Sequence, residues 1–327
     1  MRRYWVLAGF FVGAGIAFAC TTDTAIGPDA ALDSLYIEPG NAVMVVDDTL
    51  HLTAIGVDST GRRFADTRVT WSSTDPTIAL SATGSAVGIA VGPATVQVRA
   101  GGMSASATIT VQPRPVLAFS PDSVTFSGFA NGPDPAPVEI TISNGGGGTL
   151  APSIDSVRYL TGTPGWLQAT MVPGAGNDTL RLVTSTSTLT VGSYSATVFL
   201  SAAKATSKTV KVRLSMGVDA PATMVIDSGD GQTATVNTTV PVRPSVLVAD
   251  QYSNPVPGAA VTFSVTGGGG SVNPVTGVVT DAAGRARVTS WTLGTTAGGN
   301  SLQATTTGVT AVSFSATGTA GAPANTA

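Results

Sequence analysis

Cys20 is the one cysteine of the chain and His51 its one histidine, and together they set narrow limits on the chemistry available. A serine nucleophile needs a base within hydrogen-bond reach. His51 stands between Leu50 and Leu52 in an alternating run, so its ring is expected on the solvent face of a strand. Placed there, it can assemble neither a Ser-His-Asp triad nor a Cys-His dyad. Zinc draws on several His or Cys ligands, and the chain has no such set. Glu38 and Glu139 are its only glutamates and fall in different segments, whereas a glycosidase pair must face across about 5 to 10 Å. Asp122, Asp134 and Asp281 sit beside Pro, Ser, Gly, Thr or Ala, where side-chain bonds to nearby backbone build turns. Asp47-Asp48 and Asp227-x-x-Asp230 lack the ligand spacing of an EF-hand loop, although calcium at a joint between modules stays open. Gly145 to Gly148 and Gly267 to Gly270 are not followed by Lys-Ser/Thr or by a helical pattern, so they read as wide turns and not as phosphate loops. Trp71, Trp166 and Trp291 are expected in cores. Tyr159 and Tyr194 are the candidates for outward rings that could stack on a sugar. No catalytic set, cofactor or metal site follows, and the chain is expected not to be an enzyme.

The segment 1–19 has the parts of a secretion signal. Arg2 and Arg3 give a positive start, Val6 to Phe18 is uncharged and mostly apolar, and Ala17-Phe18-Ala19 places small residues at the cleavage positions. The apolar run falls short of the roughly 20 residues that span a bilayer. Two cleavage readings fit. Ala17-x-Ala19 suits general signal peptidase and would leave a free thiol. Ala17-Phe18-Ala19-Cys20 resembles a bacterial lipobox, departing from it at Ala17 and Phe18. The lipobox reading is preferred because a chain that uses cysteine nowhere else places one at this junction. Lipid on Cys20 would anchor the protein, each buried methylene contributing about 0.8 kcal/mol. Thr21 follows where an aspartate would imply inner-membrane retention, so the resemblance implies an outer-membrane or cell-surface lipoprotein. Residues 20–31 then form the tether.

The net charge of −3 becomes more negative once Arg2 and Arg3 are removed. Sparse Lys and Arg argue against nucleic acid, which needs a basic footprint, and no basic cluster stands out for anionic lipid headgroups. Charged residues make up 11% of the chain and glycine 39 residues, which with abundant Thr, Ser, Val and Ala favours strands over helices. Apolar and polar residues alternate in Thr95-Val96-Gln97-Val98, Val138-Glu139-Ile140-Thr141-Ile142, Thr209-Val210-Lys211-Val212-Arg213-Leu214 and Val261-Thr262-Phe263-Ser264-Val265. Such alternation puts one face on a core and the other in water. Turn residues about every ten positions predict an all-β chain of tandem sandwiches.

Three segments carry family likenesses. In residues 32–112, Val69-Thr70-Trp71-Ser72-Ser73-Thr74-Asp75-Pro76 and Gly92-Pro93-Ala94-Thr95-Val96 resemble the bacterial Ig-like group 2 domain. In 115–217, Pro164-Gly165-Trp166-Leu167 and Val191-Gly192-Ser193-Tyr194-Ser195-Ala196-Thr197-Val198 resemble the BACON modules. In 219–318, Asn254-Pro255-Val256-Pro257-Gly258-Ala259-Ala260-Val261-Thr262-Phe263 and Thr280-Asp281-Ala282-Ala283-Gly284-Arg285-Ala286 are similar to bacterial Ig-like group 1, the module of invasin and intimin. The likenesses imply three tandem Ig-like β-sandwich domains, with 319–327 a disordered tail. Pro113-Arg114-Pro115 and Asp219-Ala220-Pro221 leave little slack between them, which predicts a semi-rigid rod on the order of 100 Å long. By the same resemblance the chain is expected to be a structural or adhesive surface protein, held on the membrane by its lipidated N-terminus. Its partner would be a surface protein or a glycan, and the alternative function is carbohydrate binding through the middle, BACON-like module.

Overall fold

The computed structural model describes residues 32–65 and 68–321. The signal segment, the Cys20 attachment site and the tether up to Ala31 lie outside the described residues, as do Asp66, Thr67 and residues 322–327. Every regular element described is a β-strand, and no described helix is long and apolar enough to cross a membrane. The chain divides into two compact units between Pro113 and Arg114.

The first unit holds β1 (Leu32–Glu38), β2 (Asn41–Val45), β3 (Thr49–His51), β4 (Thr53–Asp58), β5 (Arg63–Ala65), β6 (Thr70–Ser72), β7 (Ile78–Leu80), β8 (Ser85–Gly88), β9 (Gly92–Ala100) and β10 (Met103–Gln112). These pair as β1-β4-β5, β2-β10-β9-β6 and β3-β8-β7. Strand β9 shows how alternation makes the sandwich. Ala94, Val96, Val98 and Ala100 are buried while Thr95, Gln97 and Arg99 face out, so a single core of Leu35, Val96, Val98, Ile109 and their neighbours closes between the layers. Strand β2 runs parallel to β10; the other pairings of this unit are antiparallel.

The second unit contains two sandwiches, each with its own apolar cluster. The first of them is built from β11 (Leu117–Ala118), β12 (Ser123–Phe129), β13 (Val138–Asn144), β14 (Pro152–Thr161), β15 (Leu167–Val172), β16 (Asp178–Thr184), β17 (Gly192–Ala202) and β18 (Lys208–Gly217). Sheets β11-β13-β16-β15 and β12-β18-β17-β14 enclose Phe126, Ile140, Ile142, Trp166, Leu180, Leu200 and Leu214. The second is built from β19 (Thr223–Ser228), β20 (Gln232–Thr235), β21 (Ser245–Ala249), β22 (Ala260–Gly267), β23 (Gly270–Asn273), β24 (Val278–Val279), β25 (Arg285–Arg287), β26 (Ser290–Leu293), β27 (Gly298–Thr306) and β28 (Val309–Thr319). Its sheets are β19-β21-β25, β20-β28-β27-β22-β24 and β23-β26, around Phe263, Trp291, Leu302 and Phe314.

Three expectations from the sequence change here. Thr319, expected in a disordered tail, is the last residue of its strand and pairs with Thr235. The Gly267 to Gly270 run is a tight turn and not a wide one. Gly268 and Gly269 alone join β22 to β23, both at positive φ, and the turn lies so close to Gly294 that a Cβ there would come within 1.8 Å of the Gly268 carbonyl oxygen. Trp71 is half-buried and not enclosed. Its three-residue strand is the edge of its sheet, and an edge leaves one side of a large ring without a neighbour.

Candidate functional site

The residues that could do chemistry are dispersed and mostly committed to structural bonds. His51 is exposed on β3. Glu38 pairs with Arg63 on the first unit, and Glu139 with Arg181 at 3.8 Å on the second. Asp281 makes the expected turn, accepting from the backbone N–H of Ala283 and Arg285, both at 2.9 Å. Asp134 does not. Its carboxylate crosses to β16's end and accepts from Thr186 backbone N–H at 2.6 Å and hydroxyl at 2.7 Å, a partner 52 positions away that no local pattern could disclose. Asp227 and Asp230 diverge. Asp227 holds the Ser245 hydroxyl at 2.6 Å and Arg285 at 3.0 Å. Asp230 accepts from Ser315, and that backbone N–H above all holds its carboxyl below the usual range. No group of three or more His, Cys, Asp or Glu comes together among the described residues.

Tyr159 and Tyr194 were expected to present outward rings, and the structure corrects this. Both lie on the inward-facing register of β14 and β17 and pack against the core around Trp166, with ring centroids 5.9 and 6.3 Å from it. Their hydroxyls are used internally. Tyr159 donates to the Leu167 carbonyl at 2.7 Å, and Tyr194 donates to the Thr190 carbonyl at 2.8 Å while accepting from the Thr190 N–H at 3.1 Å. A tyrosine with an apolar ring and one polar tip buries well once that tip finds a backbone partner, and each found one close by in sequence.

Two places in the second unit gather polar groups in a non-local way. The first joins its two sandwiches. Asn254, almost fully buried, donates from Nδ2 to the Ala130 carbonyl at 2.6 Å and to Asp250 Oδ2 at 2.9 Å, and accepts at Oδ1 from Asn131 Nδ2 at 2.6 Å. Asp250, 1% exposed, accepts from the backbone N–H groups of Asp219, Tyr252 and Asn254 at 2.8 to 2.9 Å. Burial opposes the charge of Asp250, but the bonds from the Asn254 side chain and from these three N–H groups outweigh it and hold the carboxyl below its ordinary value. Tyr252 stacks on Phe129 across the same joint, centroids 6.1 Å apart. Asn131 reaches it from a left-handed backbone position, φ 55°, which asparagine tolerates better than most residues.

The second place is the outer face of sheet β12-β18-β17-β14. The register sets Thr125, Arg213, Ser195 and Thr161 in one row across four strands, and Ser123, Lys211, Thr197 and Arg158 in the next. Shifts in pairing before Ser156 and before Thr161 bring both Leu160, 58% exposed, and Thr161 to this side, as a bulge does when it re-aims side chains. An open groove of about 430 Å³ runs along it. Lys211 and Arg213 were visible in the sequence as alternate residues of one run, but Arg158 is far away in the chain. The sequence therefore showed no basic cluster where the sheet assembles one.

No family model matches this chain, and no curated protein matches it. Among solved structures it is similar to the three-Ig titin fragment I67–I69 in an E-to-A variant, with 12% identity over 86% of this chain and 96% of that one, at a TM-score of 0.39. It is similar to mouse protocadherin-24 EC1–3, with 15% identity over 77% and 90% and a TM-score of 0.39. It is similar also to the human desmocollin-1 ectodomain, with 12% identity over 87% and 60% and a TM-score of 0.36.

Proposed function

We propose that this chain is a non-catalytic surface protein of the bacterial envelope, exported by its first 19 residues, anchored through lipid on Cys20, and acting as a structural or adhesive presenter of β-sandwich modules. The observation that carries this reading is the joint between the two sandwiches of the second unit. Asn254 and Asp250 are buried there with their polar atoms bonded, two of those bonds reaching back to Ala130 and Asn131 on the neighbouring sandwich. A buried, satisfied polar network specifies one arrangement, because any other leaves groups unpaired in a poorly solvated place. Holding one module at a defined angle to the next is the mechanical requirement of a presenter and no requirement of a catalyst.

The function is served by the fold's division of labour. Alternation gives each sandwich an apolar core, and the polar atoms of the joint stiffen the contact between the two sandwiches of the second unit. The outward faces then have no structural duty and are available for contact. Anchoring is tested by metabolic labelling with a fatty acid, comparing wild type with Cys20→Ser, together with protease treatment of intact cells. Label incorporated into the wild type and lost in the variant, with the sandwiches digested from outside, is the expected result. Absence of label in the wild type would remove the anchored reading, and full protection from protease would remove surface presentation.

A further inference from the structure

We infer that the outer face of sheet β12-β18-β17-β14 is a binding surface for an acidic polysaccharide, a chain of sugar rings carrying carboxylates. This does not rest on the anchoring or presentation proposed above, since the face is complete within one sandwich.

Three cations converge there. Lys211 and Arg213 are two residues apart on β18, so both point to the same side at about 7 Å separation, and Arg158 stands two strands away, at about 10 Å, across Thr197. All three side chains are exposed, and none of these side chains makes a hydrogen bond or ion pair among the described residues, although the Lys211 backbone N–H donates to the Asp122 carbonyl at 2.8 Å. The groove is lined by Leu160 and Thr161 of β14 and by stretches of β17 and β18, and no carboxylate lines it. The nearest acidic group on β14, Asp155, lies beyond the groove's end and is held by the Ser201 hydroxyl. On a chain of net charge −3, an uncompensated positive face is a local departure that favours an anionic partner.

Charge alone would suit any polyanion, and the rest of the face narrows the choice. Ser195, Thr197, Thr125 and Thr161 lie between and beside the cations, giving hydroxyls that both donate and accept, the counterpart of sugar hydroxyls. Leu160 supplies an exposed apolar patch within this polar field, suited to the C–H face of a ring. No Phe, Trp or His lines the groove, and the Tyr194 ring is turned toward Trp166, so the stacking platform that single-stranded nucleic acid requires is missing. The guanidinium groups can take carboxylates bidentately. Their spacing of about 7 to 10 Å calls for a ligand with anions on successive units, not one small ion.

The test uses the full chain in affinity electrophoresis through gels containing polygalacturonate, with neutral dextran and inorganic polyphosphate as parallel arms, and sedimentation to follow self-association. The wild type is expected to be retarded by polygalacturonate and not by dextran, with retardation fading as salt rises past a Debye length of about 10 Å at 0.1 M. The double variant Lys211→Ala/Arg213→Ala should weaken binding at least about tenfold, Arg158→Ala about threefold, and Leu160→Ser should weaken polygalacturonate binding selectively. Arg287→Ala, an exposed cation of the other sandwich, should leave binding unchanged. Thermal melts of the variants confirm that folding is intact. No retardation of the wild type, or equal retardation of the double variant, overturns the inference. So does equal or stronger binding of polyphosphate, which would mark a generic attraction for anions, and so does loss of self-association in the double variant without loss of polygalacturonate binding, which would assign the face to a second copy of this chain.

Discussion

The joint around Asn254 and the outer face around Arg213 lie in the same compact unit and use the same kinds of side chain, yet their polar groups are in opposite states. At the joint the Asp250 carboxylate and the Asn254 amide are enclosed and bonded. On the sheet face the cationic side chains stand in solvent with no side-chain partner among the described residues. Satisfaction separates a structural polar residue from an available one. A buried group that loses its partner bears the desolvation cost, whereas an exposed group loses little. Charge or residue type alone does not make that distinction. The joint is therefore expected to respond to mutation through stability, and the face through binding.

The sharpest way to break this contrast is Asp250→Ala. It strands the N–H groups of Asp219, Tyr252 and Asn254 together with the Asn254 amide, and should cost about 3 kcal/mol in urea denaturation followed at Trp291; a loss below about 1 kcal/mol would mean that water satisfies the site. Asn254→Ala comes next, at about 2 kcal/mol, with a second consequence. The contact to Ala130 and Asn131 is lost, so the region between Gly217 and Pro221 should become more sensitive to limited proteolysis.

Acid probes the same carboxylate. The folded pKa of Asp250 is depressed relative to the unfolded value of about 3.9, so its contribution is fully present above that value and is lost as pH falls through the folded pKa. Thermal midpoints measured from pH 5 downward should drop below about pH 4 in the wild type and fall less steeply in Asp250→Asn. An equal slope in both would assign acid sensitivity to other carboxylates such as Asp230. Tyr194→Phe removes one hydroxyl bonded to Thr190 and should cost about 1 kcal/mol, placing this tyrosine with the joint residues and not with the face. The smallest expected effect is that of Lys211→Ala with Arg213→Ala on folding, within about 0.5 kcal/mol. A larger loss would show that these cations support the sheet.

Much of the architecture was legible because alternation is a local property. Val261 and Phe263 are buried and Thr262 and Ser264 exposed, as their period of two requires. Trp166 and Trp291, the one tryptophan of each of those sandwiches, are enclosed, as the family likenesses implied. Trp71 packs against its core as expected but stays half-buried, because the exposure of its edge strand depends on how strands order themselves in a sheet. Tyr159 and Tyr194 were misplaced for a related reason. Pairing shifts along β14 decide which of Tyr159, Leu160 and Thr161 turn outward, and a one-residue slip exchanges the faces. Leu160 and Thr161 reach solvent, and Tyr159 turns inward.

By itself the sequence determined the class of structure, the strand-forming segments, most of the core and the poverty of catalytic groups, because residue type and period act within a few neighbouring positions. Only the tertiary structure decided which polar residues are spent and which are free. Asp134 finds Thr186, Asn254 finds Ala130, and Arg158 comes level with Lys211 through pairings across tens to more than a hundred residues. A hydrogen bond or a charged face depends on distance in space, and that distance is set when the sheets close around their cores.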